Sequence, residues 1–135
     1  MSEHRILIIE DEPDLLRGLE MNLTAEGFAV STASRGDTGA ALALRDRPDL
    51  VLLDIMLPRM DGYQICQIIR RNKDYKKLPI VMLSGKDGLF DRVRGKLAGS
   101  TEYITKPFDP ADLVRVVRKH LAKRAQQSQF AFART

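Results

Sequence analysis

Leu50-Val51-Leu52-Leu53 (LVLL) runs without a break into Asp54. Four consecutive apolar residues, with Pro48-Asp49 before them and Pro58 after, are too short for a helix core. They read as a strand buried on both faces. The strand then delivers a carboxylate to its carboxyl end. Working outward, the same pattern recurs. Arg5–Ile9 (RILII) leads into Glu10 and Asp11, Pro79–Leu83 (PIVML) into Ser84, and Glu102–Thr105 into Lys106-Pro107.

Helix-spaced segments fill the gaps. Leu15, Leu16, Leu19 and Leu23 mark one face behind Pro13, which suits a first helical turn, and Gly27 ends the helix. Phe28–Thr32 alternates Phe28, Val30 and Thr32 as a strand does. Ser34 can cap a second helix running to about Asp46. Ile65, Ile68 and Ile69 mark a third helix after Gly62, whose place in Met60-Asp61-Gly62 suits a tight turn. Asp87–Ala98 forms a fourth helix. Asp109 caps a fifth, with Leu113, Val114, Val117 and Leu121 on its apolar side. Five strand–helix units in succession predict an α/β fold: a single doubly wound, five-stranded parallel sheet, flavodoxin-like, with strand order 2-1-3-4-5.

The chain has 135 residues, enough for one core. Residues 1–124 are expected to form the domain. Residues 125–135 (AQQSQFAFART) show no clear period and are expected to be a loose tail. No apolar run approaches the roughly 20 residues of a membrane helix, and the N-terminus lacks the order of a signal peptide, so a cytoplasmic location and no membrane insertion are expected. Cys66 is the sole cysteine and reads as a small apolar filler; with two His it leaves a zinc site of the usual ligands without support. From Lys106 onward there are seven Lys and Arg against two Asp, so the net +4 leaves the first 105 residues at −1. A solvated basic helix accounts for this, and no recognition-helix motif argues for direct nucleic-acid binding.

In open parallel sheets, chemistry gathers at the carboxyl ends of the strands. This chain brings Glu10, Asp11, Asp54, Ser84 and Lys106 there. Three crowded carboxylates repel unless a cation intervenes, and a hard divalent ion such as Mg2+ suits them. Lys106 adds a compact charge for a phosphoryl oxygen, and Ser84 a hydroxyl donor. A carboxylate nucleophile with these companions describes phosphoryl transfer to Asp54.

ILIIEDE (6–12), PDLVLLDIMLPRMDGY (48–63), PIVMLSGKD (79–87) and EYITKPF (102–108) stand in order at these strand ends. Over about residues 4–122 the chain resembles the receiver domains of two-component response regulators. The resemblance implies Asp54 as phospho-acceptor and Asp11 as a direct Mg2+ ligand, with Glu10 holding the metal's water shell. The Met56 backbone carbonyl would be a third protein ligand. Lys106 would pair with the phosphoryl oxygens, Ser84 would swing toward them, and Tyr103 would be the aromatic switch. A cis bond before Pro107 is implied as well. Glu10 replaces the commoner Asp and Ser84 the commoner Thr, whose β-branching would fix its rotamer more firmly.

The implied phosphodonor is a histidine kinase or phosphotransfer protein, and the output is a changed surface on helix four, strand five and helix five, read by a downstream protein. Such a chain is a switch, catalysing only its own phosphoryl transfer and dephosphorylation. With few residues after Lys123, a stand-alone chemotaxis-like regulator is expected; residues 82–108 and DGYQICQIIRRN (61–72) resemble regulators of type IV pilus motility and gliding. The alternative is a receiver that forms a homodimer on phosphorylation, through helix four and helix five, in a transcription-regulating pathway, with Asp91, Arg92, Arg94, Glu102, Arg115 and Arg118 supplying ion pairs across the interface. Two other classes fit poorly. An aspartyl phosphatase of the haloacid-dehalogenase type needs an acid where Met56 stands. A nucleotide or flavin binder needs a glycine-rich loop where Glu10-Asp11-Glu12-Pro13-Asp14 stands.

Overall fold

A computed structural model describes residues 4–85 and 89–134, with side chains for 4–85 and 91–126. Its elements are β1 (Arg5–Ile9), α1 (Pro13–Ala25), β2 (Ala29–Ala33), α2 (Gly36–Asp46), β3 (Leu50–Asp54), α3 (Gly62–Arg71), a 3-10 turn (Lys73–Tyr75), β4 (Ile80–Ser84), α4 (Leu89–Ala98), β5 (Glu102–Thr105) and α5 (Pro110–Arg134). All strand pairs are parallel, in the order β2-β1-β3-β4-β5. The expected doubly wound sheet is the observed one.

Side-chain alternation along the strands feeds two separate cores. Leu7, Ile9, Val51, Leu53, Ile80 and Met82 pack with α2, α3 and Ala98 of α4. Ile6, Ile8, Leu50, Leu52, Val81 and Leu83 pack with α1 and α5. This is why β1, β3 and β4 read as unbroken apolar runs: neither of their faces meets water. The edge strands β2 and β5 are half-buried. Cys66 is fully buried in the first core, and burial pushes its thiol up to about 11. Native protein is therefore expected to leave Cys66 unmodified by a thiol-specific disulfide reagent at mildly alkaline pH, while urea-unfolded protein reacts at once. Rapid labelling of the native form would contradict this burial.

Several local expectations need correction. The start of α2 lies at Gly36, with Arg35 rather than Ser34 at the N-cap and no side-chain cap bond; Asp37 in the first turn instead bonds Arg35 and the Thr38 amide. Gly62 does not serve a left-handed turn. It opens α3 pressed against β3, where a Cβ would sit 2.6 Å from the Asp54 carbonyl oxygen, and the positive φ in this loop belongs to Arg59. Helix α5 runs through residues 125–134 to Arg134. Ala, Gln and Arg are good helix formers, and no Gly or Pro interrupts them. The proposed start of helix four at Asp87 lies outside the described residues. Asp109 does cap α5, accepting from the Ala111 amide.

Basic residues of α5 are paired within the chain. Arg118 bonds Glu26, Lys119 bonds Glu102, Arg115 bonds Asp112, and Arg124 bonds the Pro48 and Asp49 carbonyls. Glu102 also meets His120 at 2.7 Å. Among the described residues no helix is long and apolar enough to cross a membrane.

Candidate functional site

Each candidate side chain is placed by the strand that precedes it. Glu10 follows β1 and is fully buried; Asp54 ends β3 and is 2% exposed. Asp11 is exposed one residue farther along. Carboxylate oxygens of Glu10, Asp11 and Asp54 all lie within 4.8 Å of one another. Lys106 reaches across from the end of β5, its Nζ donating to Glu10 Oε1 at 2.8 Å and to Asp54 Oδ1 at 3.3 Å. Asp54 Oδ1 also accepts from the Met56 amide at 3.2 Å. Glu10 Oε2 accepts from the Glu12 amide, and Glu12 in turn caps α1 by accepting from the Asp14 and Leu15 amides. The acidic run after β1 is thus held at both ends, by the lysine and by the helix it starts.

The electrostatics show what the cluster lacks. Burial pushes the Glu10 carboxyl up to about 7; the Lys106 hydrogen bond pulls it down, but Asp54 nearby pushes it up again. Burial works against the Lys106 charge, yet the hydrogen bond to Glu10 and the charges of Asp54 and Glu10 outweigh it and raise its pKa. One lysine against three carboxylates leaves an excess of negative charge in a poorly hydrated place. All three carboxylates offer oxygen, the donor a hard divalent cation takes. The residues present therefore fit Mg2+.

Ser84 is buried at the end of β4, and its carbonyl accepts from the Lys106 amide at 2.6 Å. Tyr103 lies in β5, half-buried against the first core, with the Arg92 guanidinium 5.3 Å from its ring centroid. The Lys106–Pro107 peptide is cis. The structure thus brings Glu10, Asp11, Asp54 and Lys106 into one cluster, with Ser84 beside Lys106 in backbone register. Tyr103 stands three residues upstream on the sheet face of the first core. The Met56 side chain is exposed and its amide is committed to Asp54.

Sequence reasoning missed two features. The sequence places Lys106 among the three carboxylates, but its closer bond to Glu10 than to Asp54, across 96 residues, has no local signal. The cap of α3 did leave one: Asp61-x-x-Gln64 is the spacing of a reciprocal capping box, and both of its hydrogen bonds form. Beside the cluster, a groove of about 680 Å3 runs between α1 and the β5–α5 loop, lined by Leu15, Gly18, Leu19, Lys106, Pro107 and Phe108 among others.

The response regulator receiver domain model matches residues 6–118. Protein PilG of Pseudomonas aeruginosa is 38% identical over 117 residues, covering 87% of this chain and 87% of that protein. Response regulator PleD of Caulobacter vibrioides is 41% identical over 114 residues, 84% of this chain but only 25% of its own length. Among solved structures, the receiver domain of sensor histidine kinase PA1611 from Pseudomonas aeruginosa PAO1, with a magnesium ion coordinated in its active-site cleft, superposes with a TM-score of 0.83 at 30% identity, covering 90% of this chain and 99% of that one. A match over most of the folded length, on a sheet of the expected strand order, is decisive: this chain belongs to the response regulator receiver domain family of two-component signalling.

Proposed function

We propose that Asp54 accepts a phosphoryl group from a phosphohistidine, and that the observation carrying this reading is the buried Asp54 carboxylate bonded to Lys106 and flanked by Glu10 and Asp11. An Asp54 carboxylate oxygen attacks phosphorus in line; the P–N bond breaks as the P–O bond forms, and the imidazole leaves with the electron pair. Lys106 already bridges Asp54 and Glu10, so a short movement brings its Nζ to a phosphoryl oxygen. The Met56 amide holds Asp54 in place for attack.

Asp11, Asp54 and the Met56 carbonyl would hold Mg2+, with Glu10 acting on its water shell; the clustered carboxylates support such a site, and the PA1611 receiver has a magnesium ion in its active-site cleft. When bound, the cation offsets the carboxylates and the charge on the transferred group. Ser84 then turns toward the phosphate, Tyr103 moves into the space it leaves, and the α4–β5–α5 surface changes for a downstream protein. Water splits the acyl phosphate and resets the switch, so the chain turns over no separate substrate. The phosphodonor is a histidine kinase or phosphotransfer protein, and the groove of Leu15, Gly18 and Phe108, which Lys106 also lines, is an apolar surface for it to rest on. Arg115, Arg118 and Lys119 of α5 pair within the unphosphorylated chain, so a dimer formed on phosphorylation would have to exchange these ion pairs for pairs across its interface.

Treatment with a small-molecule phosphodonor and Mg2+ is expected to place one hydroxylamine-labile phosphate on the peptide containing Asp54. Chelating divalent cations should slow the incorporation about a hundredfold or more. Phosphate mapped by mass spectrometry to Ser84 or a histidine would refute the assignment.

A further inference from the structure

Helix α4 is anchored unlike its neighbours. Among its residues with described side chains only Gly95 and Ala98 are buried, while Val93 and Leu97 face outward at 47% and 82% exposure. By contrast α3 buries Tyr63, Ile65, Cys66 and Ile69. A glycine and an alanine remove little apolar surface from water, so the described part of α4, residues 91–98, gains little from burial. They do let it lie close: a Cβ on Gly95 would stand 3.3 Å from Met82 Sδ.

Polar contacts hold the two ends of α4 differently. At the C-terminal end, Arg70 of α3 donates from Nε to the Gly99 carbonyl at 2.8 Å, from Nη1 to the Tyr75 carbonyl at 2.7 Å, and from Nη2 to Thr101 Oγ1 at 3.3 Å. Thr101 is tied to β4 through the Ile80 amide and carbonyl. Three bonds from one half-buried guanidinium make a firm anchor. Among the described side chains toward the N-terminal end the contacts are longer: Arg92 lies 5.3 Å over the Tyr103 ring and donates to Thr105 Oγ1 at 3.4 Å. Tyr63 Oη donates to the Asp91 carbonyl at 3.3 Å. The Arg94 guanidinium lies 4.2 Å from the Tyr63 ring centroid, with Nη2 3.5 Å from Asp61 Oδ2. Arg94 and Asp61 are 51% and 38% exposed, so these contacts are weak and reversible.

The partners of that loose end sit on the segment leaving the acceptor. Asp61 caps α3, and Gly62 between Asp61 and Tyr63 donates its amide to the Ile55 carbonyl at 2.9 Å while pressing on the Asp54 carbonyl. We infer that α4 is a lever, hinged at its C-terminal end by Arg70 and latched near its N-terminal end by Arg94 on Tyr63 and Asp61, and that the latch is seated on the backbone of Asp54. A shift of that backbone moves Asp61 and Tyr63 together and releases Arg94. The route starts at the Asp61–Tyr63 segment and reaches Tyr103 only through α4, whose Arg92 lies over the Tyr103 ring. Its coupling half rests on Asp54 being the acceptor; the latch itself does not.

Amide hydrogen exchange on the unphosphorylated chain tests it. In R94A, amides of residues 91–95 are expected to exchange roughly five- to tenfold faster, those of Gly99–Thr101 and of β1 and β3 being unchanged. R94K, which keeps the charge but loses the planar stack, should fall between, and Y63F should give about a twofold effect. Equal exchange in R94A and the parent, or acceleration spread evenly into the sheet, would overturn the latch. R94A should also take phosphate from a small donor several-fold faster, because the latch favours the unphosphorylated form. An unchanged rate beside faster exchange would overturn the coupling. Mapping of the phosphate decides Asp54 independently of both.

Discussion

Asp54→Asn is expected to lose all hydroxylamine-labile phosphate and yet to fold at least as stably as the parent chain. Asparagine keeps the shape and can still accept from the Met56 amide, but it offers no anionic nucleophile. What it also removes is a buried negative charge beside two others. Lys106 loses its 3.3 Å contact but keeps the 2.8 Å one to Glu10. Glu10 then has one like charge fewer to contend with. Its folded pKa of about 7 lies above its ordinary 4.5, so the folded state keeps a proton that the unfolded chain has already released. Stability therefore falls as pH rises between those values and stays at the lower level above them. Relieving part of that penalty should raise stability by about 1 kcal/mol near neutral pH. In chelator-containing buffer the gain should grow from about pH 4.5 to 7 and then level off. Urea midpoints across that range measure it; a variant less stable than the parent near neutral pH would mean that Asp54 is held by attraction rather than crowded by repulsion.

A second large effect is expected at Gly62. Alanine there would put a Cβ 2.6 Å from the Asp54 carbonyl oxygen and 2.8 Å from the Ile55 Cα. Both obstacles are backbone, at the last residue of the central strand β3 and the residue after it, and cannot swing aside. Gly62→Ala should therefore cost about 2–3 kcal/mol by urea denaturation and slow phosphorylation as well, since relief comes only by displacing the acceptor. Gly18 makes the contrasting control. It lies inside α1 with nothing within 4 Å of a built Cβ, so Gly18→Ala should stabilise the chain by about 0.5–1 kcal/mol. Equal outcomes for the two substitutions would show that close approach is not what Gly62 provides.

The fold was largely legible because its signals are local and redundant. Each apolar run names a strand, and each ionisable residue after it names the strand's carboxyl end. β2 was harder: as an edge strand it carries a weaker pattern, and its observed span, Ala29–Ala33, lies one residue beyond the alternation at Phe28–Thr32. The continuation of α5 past residue 124 has no apolar period in the sequence to announce it, only residues mostly of good helix propensity. At the site, the residue types were legible and their pairings were not. Nothing near Glu10 says that Lys106 will meet it, and nothing near Arg94 says that Tyr63 will. Such contacts are made by the topology, which folds distant strand ends and helices together.

The two cores of the sheet have a further consequence. Glu10, Asp54 and Lys106 follow the strand parity of Ile8, Leu52 and Ile104, on the side of α1 and α5. Ser84 and Tyr103 share the parity of Met82, on the side of α3 and α4. A β-sheet is a poor conductor between its faces, because side chains on opposite sides touch only through the backbone. The acid cluster and the Ser84–Tyr103 face thus meet only at the rim where the strands end. A substitution deep in one core reaches the other only through strand backbone. Either core can therefore be repacked with little effect on the side chains behind the opposite face.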